Sequence, residues 1–577
     1  MQRCLVTLLL LTTFACGDST PQSAADAGSS VDASTDPEVD LTIPMFDKDR
    51  VINISIDMAP ADWDSLRFQT RSIFDVLGSS CLEDPPERPF TYFPATVTID
   101  GDVVTNVGVR KKGFFGSLSE TKPSLKVKFS EYDDTQLYSG MKRMTLNNSI
   151  SDISYVKQCI GYDLFRQAGI PSPRCNFATI EVNGQNMGLY VHVESIKKRF
   201  IARHFDDNDG NLYEGALSDF RPGWVNTFQK KTNKTNPDRS DIEALVPLMS
   251  LSDSEFVAEL EKQVDVEQFI SMWAAELIMM HADGYARNTN NFYMYKDPTS
   301  GKFTFIPWGI DSIMFGDVTL SWEDVRPPVT VWAEGVLARR LYNIPATRAR
   351  YFAKLDDLLT NVWDEDEIHS EVTRMEQLIE DHVITAELDQ FQAGLNMVRD
   401  FIDGRRTAIN NELGTEPNWG TTLRDPWCIA TVGTASGSFS TTFGTLDDDD
   451  PLNEGTASMS VTINGTPYTI GLTGALSGHD EESGQAVVRL VGQIDTQKLL
   501  LVQLAVNETA FVTGASLPID WLDVSGYVLT LDFSVMPADV QIVGVVGDGN
   551  LTLDSAGTGA GATVAGSFTA TVYEPFF

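Results

Sequence analysis

The residues whose types and spacing could do chemistry lie between His281 and Gly316. Asp283 is followed five positions later by Asn288, with Asn290 and Asn291 close behind, and Asp311 stands further on. A carboxylate beside a substrate hydroxyl can accept its proton. A second carboxylate and an amide oxygen are hard ligands of the kind magnesium takes together with phosphate oxygens. Such a set suits phosphoryl transfer, in which the protein mainly positions groups and neutralises charge. The plain alternatives are a helix-end Asp at 283, a loop-capping Asp at 311 and ordinary turn asparagines.

Certain elements must position these side chains. Residues 266–280 are apolar on nearly all sides (Phe269, Ile270, Met272, Trp273, Leu277, Ile278, Met279), which predicts a buried helix ending at His281. Residues 292–295 and 302–306 flank a turn at Asp297-Pro298-Thr299-Ser300-Gly301 and predict a β-hairpin. The hairpin lets the Asp283 loop and the Trp308-Gly309-Ile310-Asp311 loop meet at one point. Helix, polar loop with His-x-Asp-x-x-x-x-Asn, hairpin and Asp loop is the succession that protein kinases use.

Upstream, residues 50–56 alternate as a strand, and 95–99 with 103–109 flank the hairpin signature Asp100-Gly101-Asp102. In residues 122–129, Leu125, Val127 and Phe129 form an apolar face and Lys126 and Lys128 a cationic one. A helix capped by Ser154 carries Val156, Ile160 and Leu164 on one stripe and stops at Gly169 and Pro171. Residues 179–182 and 188–194 predict a second hairpin around Asn183-Gly184. Helices follow at 349–363, 366–381 and 392–411. Beyond about residue 425 the chain turns rich in Gly, Thr, Val and Ser. Alternating runs at 458–463, 468–472, 487–494, 499–506 and 527–533 predict a separate all-β, sandwich-like domain over 425–577.

The chain has 577 residues, room for two to four domains, and 42% hydrophobic residues can build sizeable cores. Its formal net charge of −38 repels phosphate backbones and argues against nucleic-acid binding. Arg3 followed by the apolar run 5–15 reads as an export signal, too short to span a membrane. It ends at Phe14-Ala15-Cys16-Gly17, similar to a bacterial lipobox with Thr13 where that pattern prefers Leu, so Cys16 is the expected lipidation site. Residues 17–42 are Ser, Ala, Asp, Gly and Thr with few large apolar groups and predict a flexible tether. The expected location is therefore the bacterial cell envelope, periplasm or outer surface. Cys81, Cys159, Cys175 and Cys428 allow three disulfide pairings, Cys159 with Cys175 being one plausible pair. The run Asp447-Asp448-Asp449-Asp450 is weighed as a calcium site against a solvated loop; no EF-hand spacing surrounds it.

Several blocks occur in the order found in the spore-coat protein H (CotH) kinase family: 108–113 with Ser117, 122–129, 181–184 through 188–194, 210–213, 283–295 and 306–311. Over residues 43–415 the chain resembles that family. The resemblance implies an α+β, atypical protein-kinase-like two-lobe domain that binds ATP with Mg2+ or Mn2+ and phosphorylates Ser or Thr of secreted or envelope proteins. It implies Asp283 as catalytic base and Asn288 or Asn291 with Asp311 as metal ligands. Lys122 or Lys126 would neutralise phosphate, Gly113 through Ser117 would cover the nucleotide, and Glu194 would pair with the lysine or approach the metal. The chain departs from the family pattern at Gly309, where many members carry a second Asp, and in a nucleotide loop holding only Gly113 and Gly116. The alternative is a non-catalytic structural or adhesion lipoprotein whose β domain binds surface glycan or protein.

Overall fold

The computed structural model describes residues 40–86, 89–315, 327–415, 423–426, 428–481, 483–521 and 523–575. The expected signal segment, Cys16 and the tether up to residue 39 lie outside the described residues. Residues 40–70 and 82–425 form one compact unit; residues 71–81 and 426–575 form another. Arg71–Cys81, inside the span 43–415 expected for one domain, groups with the C-terminal unit. There Phe74 stacks on Tyr573 with ring centroids 4.2 Å apart, and Cys81 is bonded to Cys428. No sequence-local signal reveals such a long-range excursion.

In the first unit, β1 (Val51–Met58), β2 (Phe93–Ile99), β3 (Asp102–Lys112), β4 (Ser124–Lys128), β5 (Arg143–Asn147), β6 (Cys175–Val182) and β7 (Gln185–Val193) close into a barrel in the order β1-β2-β3-β4-β5-β7-β6. Parallel pairing of β1 with β6 completes the ring, Ile54 standing opposite Ile180. The two expected hairpins turn on left-handed residues, Asp100 and Gly101 in one, Asn183 and Gly184 in the other, the backbone that two-residue hairpin turns require. Ile54, Val97, Val109, Val127, Leu146 and Ile180 are buried in the barrel core.

A second sheet has the order β11-β10-β8-β9, with β8 (Asn211–Gly215), β9 (Gln229–Lys230), β10 (Phe292–Lys296) and β11 (Phe303–Pro307). β10 and β11 are the expected hairpin, Phe292 opposite Pro307. α2 (Val266–Ile278) packs on this sheet, and α1 (Lys157–Gln167), α3 (Pro345–Asn361), α4 (Glu365–Ile379) and α5 (Leu388–Glu412) share its hydrophobic core. α2 is buried on nearly all sides, as its composition demands, and Trp273 packs on Tyr351 of α3 with centroids 4.0 Å apart. Its last carbonyls, Leu277 and Ile278, accept from the buried Arg405 guanidinium of α5, which supplies partners that a helix end otherwise lacks.

Ser154 does not cap α1. Asp152 accepts from the amides of Ser154 and Lys157, both at 3.0 Å, so the helix begins at Lys157. α1 is joined to β6 by the Cys159–Cys175 disulfide.

The C-terminal unit is all β. Its strands form one ten-stranded sheet running from Thr466–Pro467 at one end to Thr473–Asp480 at the other. The all-β expectation agrees with the structure; the sandwich-like layout takes the form of one continuous curled sheet. Register breaks at Val528/Leu529, Gly547/Asn550 and Leu553/Ser555 interrupt the ladders, and such irregularities bend strands. The curl brings Phe443 into a bridge with Ser477 around a core that includes Phe439, Leu490, Val502 and Phe568. Residues 468–472 are not a strand: the chain turns at Asn464-Gly465 and returns only for Thr466–Pro467. Among the described residues no group of three or more His, Cys, Asp or Glu could hold a metal, the acidic run included. No described helix is long and apolar enough to cross a membrane.

A Cβ at Gly161 would lie 2.7 Å from the Ile310 and Ile313 Cδ1 atoms. Removing glycine from a helix interior gains about 0.5–1 kcal/mol, whereas overpacking costs about 1–3 kcal/mol. Gly161→Val is therefore expected to lower the melting temperature of the chain; a rise would show that α1 does not press on the Asp311 loop.

Candidate active site

The segment after α2 leaves the helix through Met280, whose backbone is left-handed at φ 53°. Glu276, buried on α2, then holds it: one carboxylate oxygen accepts from Tyr285 N at 3.3 Å and the other from Ala286 N at 3.2 Å. Gly284 is needed here, since a Cβ would stand 2.6 Å from Glu276 Oε1 and 2.7 Å from His281 Nδ1. From the other side, Tyr285 Oη donates to the buried Asp219 at 2.9 Å, and Ser218 N donates to Thr289 O at 2.7 Å.

The Asp311 loop is fastened to both ends of this segment. Trp308 N donates to Asn291 O at 3.0 Å, and Met314 N donates to Met279 O at 2.8 Å. Left-handed backbone clusters at these junctions, at Met280, Thr289, Asn291, Gly309 and Met314. For a β-branched residue such as Thr289 this conformation is strained, and strain of this kind gathers at functional sites. Gly309, at φ 55°, occupies a backbone position that suits glycine.

Asp283 is buried and accepts three side-chain amides, from Asn288 at 2.5 Å, Asn290 at 3.1 Å and Asn291 at 2.6 Å. Burial pushes its carboxyl up to about 7 against the pull of the amide bonds, and the charge of Asp311 adds to the rise. Asp311 is also buried and raised by burial, with the Lys112 ammonium opposing and Asp152 reinforcing the shift. Two carboxylates that feel each other in a desolvated site call for a cation.

The asparagines divide the remaining roles. The Asn288 side-chain oxygen accepts from Arg424 Nε at 2.6 Å, and that of Asn290 from Leu217 N at 3.3 Å. The Asn291 oxygen is buried and has no partner among the described residues. A hard cation therefore fits Asp311 and Asn291 better than Asn288.

Toward the barrel, Lys112 at the end of β3 donates to Asn147, whose amide donates to Gln158 of α1 at 2.7 Å. Gly113 and Ser117 form the turn that follows: Ser117 Oγ accepts from Phe114 N at 3.1 Å, and Gly113 has φ 135°. Lys122 is turned to other partners, Tyr155 Oη at 2.7 Å and Glu387 at 3.3 Å. Lys126 is buried on β4 opposite Arg110 and Thr145. Glu194 pairs with Arg174 at 2.9 Å and Arg203 at 2.6 Å. The expectation that it pairs with the lysine is corrected: Glu194 N bonds Arg174 O, so the neighbouring chain brings the arginine to it.

The structure thus brings together Asp283, Asn288, Asn291 and Asp311, and adds Lys112, Asp152, Lys157 and Arg424, which sequence reasoning missed. Lys112 stood in a matched block; for Arg424 no sequence signal existed. A cavity of about 600 Å³ against β1, β2, β6 and residues 381–385 holds none of these side chains.

The raised Asp283 carboxyl sets a pH dependence. The folded chain binds more protons than the unfolded chain between the ordinary Asp value near 3.9 and about 7, so stability falls as pH rises through that window. Asp283→Asn removes the term. In metal-free buffer its melting temperature, relative to the parent, is expected to be higher at pH 8 than at pH 5; a pH-independent difference would contradict the assigned burial.

A family model shows the family of this chain, and two curated relatives are similar to it. The family model described as CotH kinase protein matches residues 109–409, more than half of the chain. The inner spore coat protein H of Bacillus subtilis (strain 168) is 20% identical over 295 residues, covering 48% of this chain and 80% of that protein. The invasin CotH3 of Rhizopus delemar is 25% identical over 183 residues, covering 29% of this chain and 30% of the invasin. Among solved structures, the Helicobacter pylori proinflammatory kinase CtkA aligns over 51% of this chain and 93% of its own length, at 11% identity and a TM-score of 0.24. The matched span contains Lys112, Asp152, Lys157, Asp283, Asn291 and Asp311, and the chain belongs to the CotH kinase protein family.

Proposed function

We propose that this kinase-like protein is an envelope-anchored kinase that transfers the γ-phosphate of ATP to Ser or Thr hydroxyls of envelope or surface proteins. The observation that carries this reading is the pair of buried, mutually interacting carboxylates on two loops bonded to each other. In this reading the barrel and the helical region with its four-stranded sheet serve as the two lobes of an atypical kinase.

Asp283 has a carboxyl near neutrality, the range in which a general base is effective. Its three amide donors hold the carboxylate in one orientation, in which it would receive the proton of an acceptor hydroxyl. Asp311 and Asn291 would hold Mg2+ or Mn2+. When bound, that ion would neutralise charge on the phosphate oxygens. Lys112 supplies positive charge to the same region. Gly309 leaves the loop one carboxylate short of the common family pattern, and Asp152, whose charge reaches Asp311, adds one from the α1 side. The signal-like N-terminus and Cys16 support a lipid-anchored location, and the C-terminal β unit is proposed to bind surface glycan or protein.

The Gly309 departure also favours a second reading, a pseudokinase scaffold in an adhesion lipoprotein. Labelled ATP with several divalent metals separates the two. Asp283→Ala and Asp311→Ala are each expected to reduce phosphoryl transfer about 100-fold or more. Asp283→Ala should keep the thermal stabilisation by magnesium–ATP, which EDTA abolishes, and Asp311→Ala should lose it. Parental transfer rates in either variant would end the kinase reading. For the anchor, Cys16→Ser is expected to shift the protein from the detergent-extracted to the soluble fraction; unchanged fractionation would remove Cys16 from that role.

A further inference from the structure

α1 begins with a lysine, and that is physically odd. The first turn of a helix carries unsatisfied N–H groups and partial positive charge, so cations there are disfavoured. Lys157 is nevertheless the first residue of α1 and is only 5% exposed. Its ammonium lies 3.9 Å from the centroid of the Phe315 ring, and among the described residues no hydrogen bond or ion pair satisfies it. Burial lowers its proton affinity, opposed by the charges of Asp152 and Asp311, which reach it without pairing.

A second group points to the same place. Gln158, 1% exposed, has its Oε1 occupied by Asn147, while its buried Nε2 has no partner among the described residues. The helix end therefore carries one buried, unpartnered donor, Gln158 Nε2, beside an ammonium that no described residue hydrogen-bonds. A buried donor without an acceptor is costly, and an acceptor carrying negative charge would satisfy it and meet the neighbouring ammonium as well. Helix N-termini with such donors are suited to phosphate.

The rest of the surroundings narrows the anion. Lys112 joins Gln158 through Asn147, and Asp311 lies within the field of both lysines. A lone anion would be repelled by Asp311, whereas a polyphosphate carrying a divalent cation offers negative oxygens to the lysines and the cation to Asp311. A structural lysine would pair with Asp152 or Asp311; this one does not.

We infer that the N-terminus of α1, through Lys157 Nζ and Gln158 Nε2, is the subsite that grips the phosphate chain of a metal–nucleoside triphosphate. The inference deepens the kinase reading and rests on it for the identity of the natural ligand, but the subsite can be tested without activity.

The probes are magnesium tripolyphosphate and magnesium–ATP, followed by calorimetry and thermal denaturation. Lys157→Met removes the ammonium at similar length. It is expected not to lower the melting temperature of the ligand-free chain while weakening tripolyphosphate about 10-fold or more, the worth of a charged hydrogen bond. Lys157→Arg should retain much of the binding. A merely structural lysine gives the opposite pattern, a lower melting temperature with tripolyphosphate binding unchanged, and that result overturns the inference. Should Lys157→Met not fold, Gln158→Leu must weaken tripolyphosphate, and parental binding in that variant overturns it equally. Tripolyphosphate binding that depends on Lys157 without phosphoryl transfer by the parent chain would sink the kinase reading and leave the subsite standing. Transfer by the parent with full binding in Lys157→Met would sink the subsite and leave the kinase reading standing.

Discussion

Two backbone hydrogen bonds hold the candidate site together: Trp308 N to Asn291 O and Met314 N to Met279 O. Each joins the Asp311 loop to one end of the segment that carries Asp283. Without them the two carboxylates would be separated by a hairpin and two independent loops. With them, a short stretch of chain is pinned at both ends, and ordering that stretch fixes both acids at once. Loops have high conformational entropy, so this double fastening is what makes a rigid site out of irregular chain.

The fastening has energetic consequences. It requires left-handed backbone at Met280, Thr289, Asn291 and Met314, none of them glycine. It also buries both carboxylates and raises their proton affinity. Neither feature stabilises the chain; both are sustained by the surrounding core. α2 supplies that support, packed on α3 through Trp273 and Tyr351 and closed at its C-terminal end by Arg405. Glu276 extends the support into the loop itself, through Tyr285 N and Ala286 N. A site so strained fits a region selected for binding charged groups rather than for stability.

The C-terminal unit follows a different principle. Its strands are short of helices to cover them, and the sheet shields its apolar face by curling on itself, with Phe443 meeting Ser477. The distant Arg71–Cys81 segment adds a further cover, held by the Cys81–Cys428 bond and the Phe74–Tyr573 stack.

Local chemistry is what the chain could declare by itself. The buried helix before His281, the hairpin at 292–307, the left-handed turns at Asp100-Gly101 and Asn183-Gly184, and the Asp283–Asn288 spacing all depend on neighbours within a few positions, and all could be read. Contacts between distant residues could not. The assignment of Asn291 over Asn288 depends on Arg424, 136 positions away, taking the Asn288 oxygen. Glu194 was indistinguishable from a site carboxylate until Arg174 and Arg203 were seen beside it. Lys157 carried no signal at all, because an unpaired cation is defined by what fails to approach it. Periodicity and turn chemistry act along the chain, whereas the partner of a buried charge is chosen across it, and only the tertiary structure decides that choice.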